Sequence, residues 1–353
     1  MIKSFSYSAS PAHIIFGSGS LSRLPDAIKG QGGTRALILS TLHQKEEAER
    51  IASSLGPLTA GLFTDATMHT PVGVTERAMA VYDEVGADCV VAFGGGSTIG
   101  LGKAIAYRND APQIVVATTY AGSEVTPILG QTENGRKITV RGTSILPEAV
   151  IYDPDLTLGL PVAMSVSSGL NAMAHALEGL YAQDRNPISS MMAIEGLRAL
   201  KQALPEIVKT PSQLEARSEA LYGSWLCGTV LGAVGMALHH KLCHTLGGSF
   251  DLPHAETHAI VLPHSAAYNA MAAADVLEPA CDLFGGSLGG GLYDFAASIG
   301  APTALRDLGM KEGDLDQAAE IATLNPYWNP RPIEKNAIRG LLQRAWEGAR
   351  PQP

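Results

Sequence analysis

Between residues 239 and 254 the chain carries four of its ten histidines: His239, His240, His244 and His254. His240 and His244 are four apart, so a helix presents both imidazoles on one face, while His239 points about 100° away. Upstream, "SGLNAMAHALEGLYA" sets Asn171 and His175 at the same spacing on another helical face. His254 follows Pro253 in what reads as a non-helical connection. Clustered imidazoles do one of two things. They ligate a transition metal, or they donate hydrogen bonds and protons near neutral pH.

A second group of residues is suited to phosphate. In "VVAFGGGSTIGLGKA", Gly94, Gly95, Gly96 and Ser97 lie where a buried strand turns into a helix. Glycine lets the backbone come within contact distance of a ligand, and the helix N-terminus offers unpaired N–H groups to a pyrophosphate. After the next strand, "TTYAGSE" places the hydroxyls of Thr118, Thr119 and Ser123 at the carboxyl edge of a parallel sheet, where a dinucleotide lies. The first strand of the alternating series ends in Ser40-Thr41, not in Asp or Glu. A carboxylate there would bond a ribose 2′-hydroxyl and repel a 2′-phosphate, so NADH and NADPH both stay open. "FGSGSLSRL" (16–24) lacks the third glycine of the dinucleotide fingerprint and is read as a structural turn without a preceding buried strand.

The elements that must position these groups fall into two halves. Apolar runs at 34–40, "TAGLFTD", 88–93, 113–119 and 149–154 alternate with amphipathic helices such as "QKEEAERIASSLG" and "TERAMAVYDEVG". That alternation predicts a parallel sheet covered on both faces. "QTENGRKITV" interrupts it and predicts a hairpin turning at Asn134-Gly135. From about Ser165 onward the long segments have helical periodicity, including "ALYGSWLCGTVLGAVGMALHHKLCHTL", read as one helical stretch. The expected architecture is an α/β dinucleotide-binding domain over residues 1–160 and an all-α catalytic domain over 161–353.

The 353 residues carry a formal net charge of −9 and no Lys/Arg block, which argues against nucleic acid as a partner. No stretch reaches the roughly 20 apolar residues of a membrane span. The four cysteines, Cys89, Cys227, Cys243 and Cys281, lack paired spacing and read as free thiols of a cytoplasmic protein.

The strand–GGGS–helix unit, the "TTYAGSE" turn and the H-x3-H-x9-H run ending in Pro-His resemble the iron-containing (group III) alcohol dehydrogenases along essentially the whole chain. The resemblance implies a Rossmann-like domain, an all-helical domain, an active site in the cleft, and a homodimer. It implies a divalent metal held by an Asp, a His four residues on, a His in the long helix, and the His of Pro-His-Gly. Here those positions are Asn171, His175, His240 and His254, with Ala255 in place of the glycine. An amide supplies no charge to offset a divalent cation, so the ligand set is degenerate and no metal is expected to be required.

Within the family, "ATTYAGSE", "NAMAHALE", "HHKLCHTLGGSFDLPHAETHA" and "NPYWNPRP" resemble a branch that reduces the alkene of maleylacetate to 3-oxoadipate in aromatic-ring catabolism. That reading expects NADH or NADPH as cofactor and a small dicarboxylate as substrate. His244 and His254 are expected to supply the oxyanion donor and the proton. His175 and His240 would shape and polarise the pocket beside Asn171. Lys241, Arg136, Lys137, Arg141 and Arg331 are the cationic candidates for the two carboxylates. The competing expectations are a metal-dependent alcohol dehydrogenase of the same family and a dehydroquinate-synthase-like lyase.

Overall fold

Short unbroken runs of aliphatic residues build the sheet, because successive side chains alternate between its two faces and both faces are covered. In the computed structural model, which describes Phe5, Tyr7, residues 12–133 and 136–352 (only the backbone at Arg136 and Lys137), the chain divides after Leu160 into two units.

The first unit, residues 9–160, contains strands β1 His13–Phe16, β2 Ala36–Leu39, β3 Thr59–Phe63, β4 Cys89–Gly94, β5 Gln113–Ala117, β6 Ile128–Glu133, β7 Arg136–Arg141 and β8 Ala149–Tyr152. Six form one parallel sheet in the order β1-β8-β5-β4-β2-β3, and β6 pairs antiparallel with β7. Its helices are α1 Leu24–Gly30, α2 Lys45–Leu55, α3 Val72–Glu84 and α4 Gly96–Asn109. Ile38, Val91, Ile114 and Ile151 face α1 and α2 through Ile28, Ala48 and Ile51. Leu37, Leu39 and Val90 face α3 and α4 through Ala78, Leu101 and Ile105. The sheet is therefore buried on both sides, as the unbroken apolar runs require.

The strand before the turn at Gly17, β1, is a four-residue edge strand of exposed and half-buried residues, so no buried strand precedes the turn. The turn itself is structural. Ser18 Oγ donates to Asp155 (2.7 Å), and the N–H groups of Gly19 and Leu21 donate to Asp153 (3.1 and 2.9 Å), so carboxylates already take the place an anion would occupy. The hairpin strands form, while the Asn134-Gly135 turn lies outside the described residues.

The second unit, built on residues 161–353, contains α5 Val162–Tyr181, α6 Pro187–Lys209, α7 Leu214–Ala233, α8 Leu238–Phe250, α9 His254–Asn269, α10 Ala274–Phe284, α11 Leu288–Ser298, α12 Leu315–Thr323 and α13 Lys335–Glu347. Helices α6 and α7 approach closely where Gly196 meets Gly223: a Cβ on either would lie 3.1–3.2 Å from the other's carbonyl oxygen. Helices α8, α9, α12 and α13 share a core of Leu242, Leu246, Ile260, Leu315 and Leu341. Every residue of α5 from Ser165 to Tyr181 is buried, so its polar side chains must find partners inside the protein.

The long stretch read as one helix is two. Helices α7 and α8 break over 234–237 and differ in direction by 95°. Composition does not reveal this, because the break is made by a tertiary contact: Glu178 accepts the N–H groups of Ala237 (2.9 Å) and His239 (2.7 Å) and so starts a new helix. His254 is likewise not in a connection but is the first residue of α9, with Pro253 as its N-cap. Among the described residues no single helix is long and apolar enough to cross a membrane.

Candidate active site

The glycine turn of the first unit is built for close approach. Gly94 ends β4 at φ 147°, and a Cβ there would lie 2.7 Å from Thr98 Oγ1 and 2.9 Å from Gln44 Oε1. At Gly95, the N-cap of α4, a Cβ would lie 2.7 Å from Thr119 Cγ2. Gly96 opens the helix with nothing within 4 Å of where a Cβ would stand, leaving room over the N-terminal N–H groups. Thr118 N–H donates to Gly94 O (3.1 Å), and Gln44 Nε2 donates to Thr118 Oγ1 (3.1 Å), which joins the two predicted loops. Ser97 follows on the first turn of α4, and Ser123 Oγ is buried without a hydrogen-bond partner. Ser40 is fully buried, and its hydroxyl donates to the neighbouring Thr41 O (3.1 Å).

Sequence reasoning missed Lys103 here. Its buried Nζ donates among Thr126 O (2.8 Å), Thr126 Oγ1 (2.9 Å), Ile128 O (3.0 Å) and Ser123 O, fixing the loop that carries Ser123. Burial brings its ammonium down to about 7, against the opposing charge of Glu124.

In the second unit, α5 and α8 bring His175 and His240 together: His175 Nδ1 lies 2.9 Å from His240 Nε2. His240 Nδ1 lies 2.6 Å from Glu178 Oε2. A carboxylate only accepts, so His240 carries a proton on Nδ1; in the neutral ring its Nε2 is then a lone pair, and His175 Nδ1–H donates to it. Glu178, one turn beyond His175 on the same helix, is 1% exposed and was not singled out from the sequence, although "NAMAHALE" contains it.

A second chain runs beside the first. Ser265 Oγ donates to Leu262 O (3.0 Å), so it accepts from His239 Nδ1–H at 3.0 Å. His239 Nε2 then accepts from His258 Nδ1–H at 2.9 Å. Both rings are fully buried, and burial, reinforced by neighbouring histidines, holds each well below the ordinary histidine range, so they stay neutral. The ring of His258 lies 4.3 Å, centroid to centroid, from that of His254. His239, Cys243 and His258 bring ligand-type atoms within 4.8 Å of one another, but hydrogen bonds already use the two facing ring nitrogens.

The remaining expected residues divide. Asn171 is buried, and its Oδ1 has no hydrogen-bond partner. His244 is half-buried, with Nδ1 3.0 Å from Tyr327 Oη. Lys241 Nζ donates to Leu324 O (2.9 Å), and burial lowers its ammonium. Arg331 stacks 4.1 Å from the Tyr268 ring centroid and donates one N–H to Tyr268 O (3.2 Å). The side chains of Arg136 and Lys137 lie outside the described residues, and Arg141 is exposed in the other unit.

The donor set does not fit the divalent metal of this fold family. Asn171 brings no charge to a cation, and the nearby carboxylate of Glu178 is committed to His240 and to the start of α8. The facing nitrogens of His175 and His240, 2.9 Å apart, share a proton. Two imidazoles on one tetrahedral ion, each at about 2.0–2.1 Å, would stand roughly 3.3 Å apart with both lone pairs turned inward.

Residues 11–154 match the iron-containing alcohol dehydrogenase family, and residues 165–346 match the C-terminal part of the Fe-containing alcohol dehydrogenase family. The chain is 66% identical to a maleylacetate reductase of Rhizobium sp. (strain MTP-10005) over 99% of both chains. It is 52% identical to one from Burkholderia cepacia over 99% of this chain and 100% of that one. A crystal structure of maleylacetate reductase from Agrobacterium tumefaciens superposes with a TM-score of 0.96 at 65% identity, covering 99% of this chain and 100% of that one. Both halves of the chain thus carry the same assignment: this protein belongs to the iron-containing alcohol dehydrogenase family.

Proposed function

We propose that the chain reduces the carbon–carbon double bond of maleylacetate to give 3-oxoadipate, with hydride from NADH or NADPH and without a required metal. The observation that carries this reading is the amide of Asn171 beside the hydrogen-bonded pair His175 and His240 in a chain that aligns end to end with maleylacetate reductases.

Maleylacetate is a dianion whose alkene is conjugated to a ketone. Hydride from the dihydronicotinamide adds to the alkene carbon β to the ketone, the carbon–carbon π bond breaks, and the electron pair moves onto the ketone oxygen as an enolate. A proton then adds to the α carbon, the ketone re-forms, and the oxidised cofactor leaves. The chemistry asks the protein for a donor at the enolate oxygen and a proton for carbon. His244 and His254 take those two roles, and the Glu178–His240–His175 chain supports the pocket around Asn171. Lys241 and Arg331 each retain N–H groups beyond the one they give to a carbonyl, and serve the substrate carboxylates. Gly94, Gly95, Gly96 and Ser97 serve the cofactor pyrophosphate, with Thr118, Thr119 and Ser123 beside it.

Freshly generated maleylacetate, mixed with purified protein and either reduced cofactor, is expected to give substrate-dependent loss of NADH or NADPH absorbance that survives EDTA. Absence of that loss would refute the reading. Activity abolished by chelation and restored by Fe²⁺ or Zn²⁺ would refute its metal-free half.

A further inference from the structure

Lys103 lies two turns into α4 and is 2% exposed. Its Nζ is surrounded by oxygens: Thr126 O (2.8 Å), Thr126 Oγ1 (2.9 Å), Ile128 O (3.0 Å) and Ser123 O. The carbonyls among them only accept. The Thr126 hydroxyl gives its single hydrogen to Ser123 O (2.9 Å), so toward Nζ it accepts as well. A neutral amine in this place would turn a lone pair toward an oxygen, whereas an ammonium has only N–H groups to offer. The cage therefore fits a cation. Glu124, fully buried on the same turn, supplies the opposing charge and is held by the Tyr152 hydroxyl at 2.7 Å.

The cage closes the segment that follows β5. Gly122, at φ 76°, reverses the chain, Ser123–Val125 make one tight turn, and Ile128 begins β6. Ser123 O takes the Thr126 N–H (3.2 Å) in addition to the lysine, so the backbone of Ser123 is fixed from inside. Its Oγ is buried and has no hydrogen-bond partner among the described residues. A hydroxyl held in that state is suited to a ligand, because buried polar groups are otherwise paired.

We propose that Lys103 is a positioning residue whose ammonium serves as a built-in monovalent cation, filling the oxygen cage of Ser123, Thr126 and Ile128 and holding the Ser123 turn in its cofactor-binding form. This rests on the reading of Thr118, Thr119 and Ser123 as cofactor contacts, and it deepens that reading by naming what holds the turn that carries them.

Lys103→Ala removes the cation and leaves the oxygens. Ammonium and potassium ions are close in size to the lysine head group, and tetramethylammonium is too large for the cage. NADH binding to Lys103→Ala, followed by fluorescence without substrate at constant ionic strength, is expected to be at least about tenfold weaker than wild type in tetramethylammonium chloride. In ammonium or potassium chloride it is expected to return to within about threefold, while the wild type binds equally in all three salts. Lys103→Met, which keeps the length of the side chain without its charge, is expected to lose affinity and to ignore the cation. Wild-type affinity in Lys103→Met overturns the proposal, whether or not Lys103→Ala folds. So does a folded Lys103→Ala that neither ion restores, and so does a wild type as cation-dependent as the variant. A wild type that binds neither NADH nor NADPH refutes the cofactor reading alone. The cage is then decided by melting: ammonium or potassium is expected to raise the Lys103→Ala transition by about 3 °C or more over tetramethylammonium, and no rise overturns the proposal.

Discussion

Replacing Glu178 with glutamine changes almost no volume yet removes an acceptor that five donors share, three of them at 2.9 Å or less. One carboxylate oxygen takes His240 Nδ1–H (2.6 Å) and Ala237 N–H (2.9 Å), and the other takes His239 N–H (2.7 Å). Glutamine keeps one oxygen. Its NH₂ must then face either His239 N–H or the pair made by Ala237 N–H and His240 Nδ1–H. If the amide turns toward His240, the ring can move its proton to Nε2. That proton then meets His175 Nδ1–H, and the conflict passes one ring further. A lost charge-assisted bond is worth about 1.5–3 kcal/mol, and a buried donor left unpaired costs about 1–3 kcal/mol. Their sum runs from about 2.5 to about 6 kcal/mol, and about 3 kcal/mol lies near its lower end. For a unit of this size each kcal/mol moves the midpoint by roughly 2–4 °C, so Glu178→Gln should lower the melting transition of the helical unit by about 6–12 °C. Differential scanning calorimetry measures it, and steady-state kinetics on the same sample should show kcat reduced more than KM. A transition within about 2 °C of the wild type would mean that these hydrogen bonds do not hold the start of α8, and the tautomer assignment of His240 would fall with them.

Gly95→Ala places a methyl 2.7 Å from Thr119 Cγ2, so NADH should bind at least about tenfold more weakly in a fluorescence titration, with the helical unit's melting unchanged; equal affinity would remove the glycine turn from the cofactor site. His264 is buried with neither ring nitrogen partnered, and burial, with Arg344, holds it at about 4. Between that value and the ordinary histidine range the unfolded chain binds a proton that the folded chain does not, so stability falls as pH drops through that window. His264→Leu should therefore shrink the loss of urea midpoint between about pH 7 and about pH 5, and add about 1 kcal/mol at neutral pH. A variant with the wild-type pH dependence would show that another group governs the acid side.

What the sequence disclosed was local. Three glycines between an apolar strand and a helix, hydroxyls after the next strand, and imidazoles four apart depend on neighbours within one or two turns, and those elements formed where expected. What it concealed depends on residues far apart. The break between α7 and α8 falls in a stretch of uninterrupted small and apolar residues, and it is set by a carboxylate 59 positions away from Ala237. His239 was set aside because helical geometry turns it 100° from His240, yet α9 supplies Ser265 and His258 on that side. β1 is four residues long and half-exposed, so its strand character comes from pairing with β8 and not from its own pattern. Glu178 had a signal available: a carboxylate three residues beyond His175 shares its helical face. Tyr327 had none, since nothing in "NPYWNPRP" indicates that its phenol reaches α8.

A count of histidines cannot separate a metal site from a donor site, because both need imidazoles brought together from different helices. The direction of the ring protons can. Metal ligation requires lone pairs converging on one point, whereas the two buried chains here pass a proton from each ring to the next, ending on Glu178 and on Ser265. An ion at His175 and His240 would have to displace the proton between them, and Asn171 would bring it no charge in return. The exchange of one oxygen for one amide nitrogen at position 171 therefore acts together with Glu178. The carboxylate that remains in the cluster is spent on fixing tautomers, and the one proton of each ring in the two chains is held inside the protein.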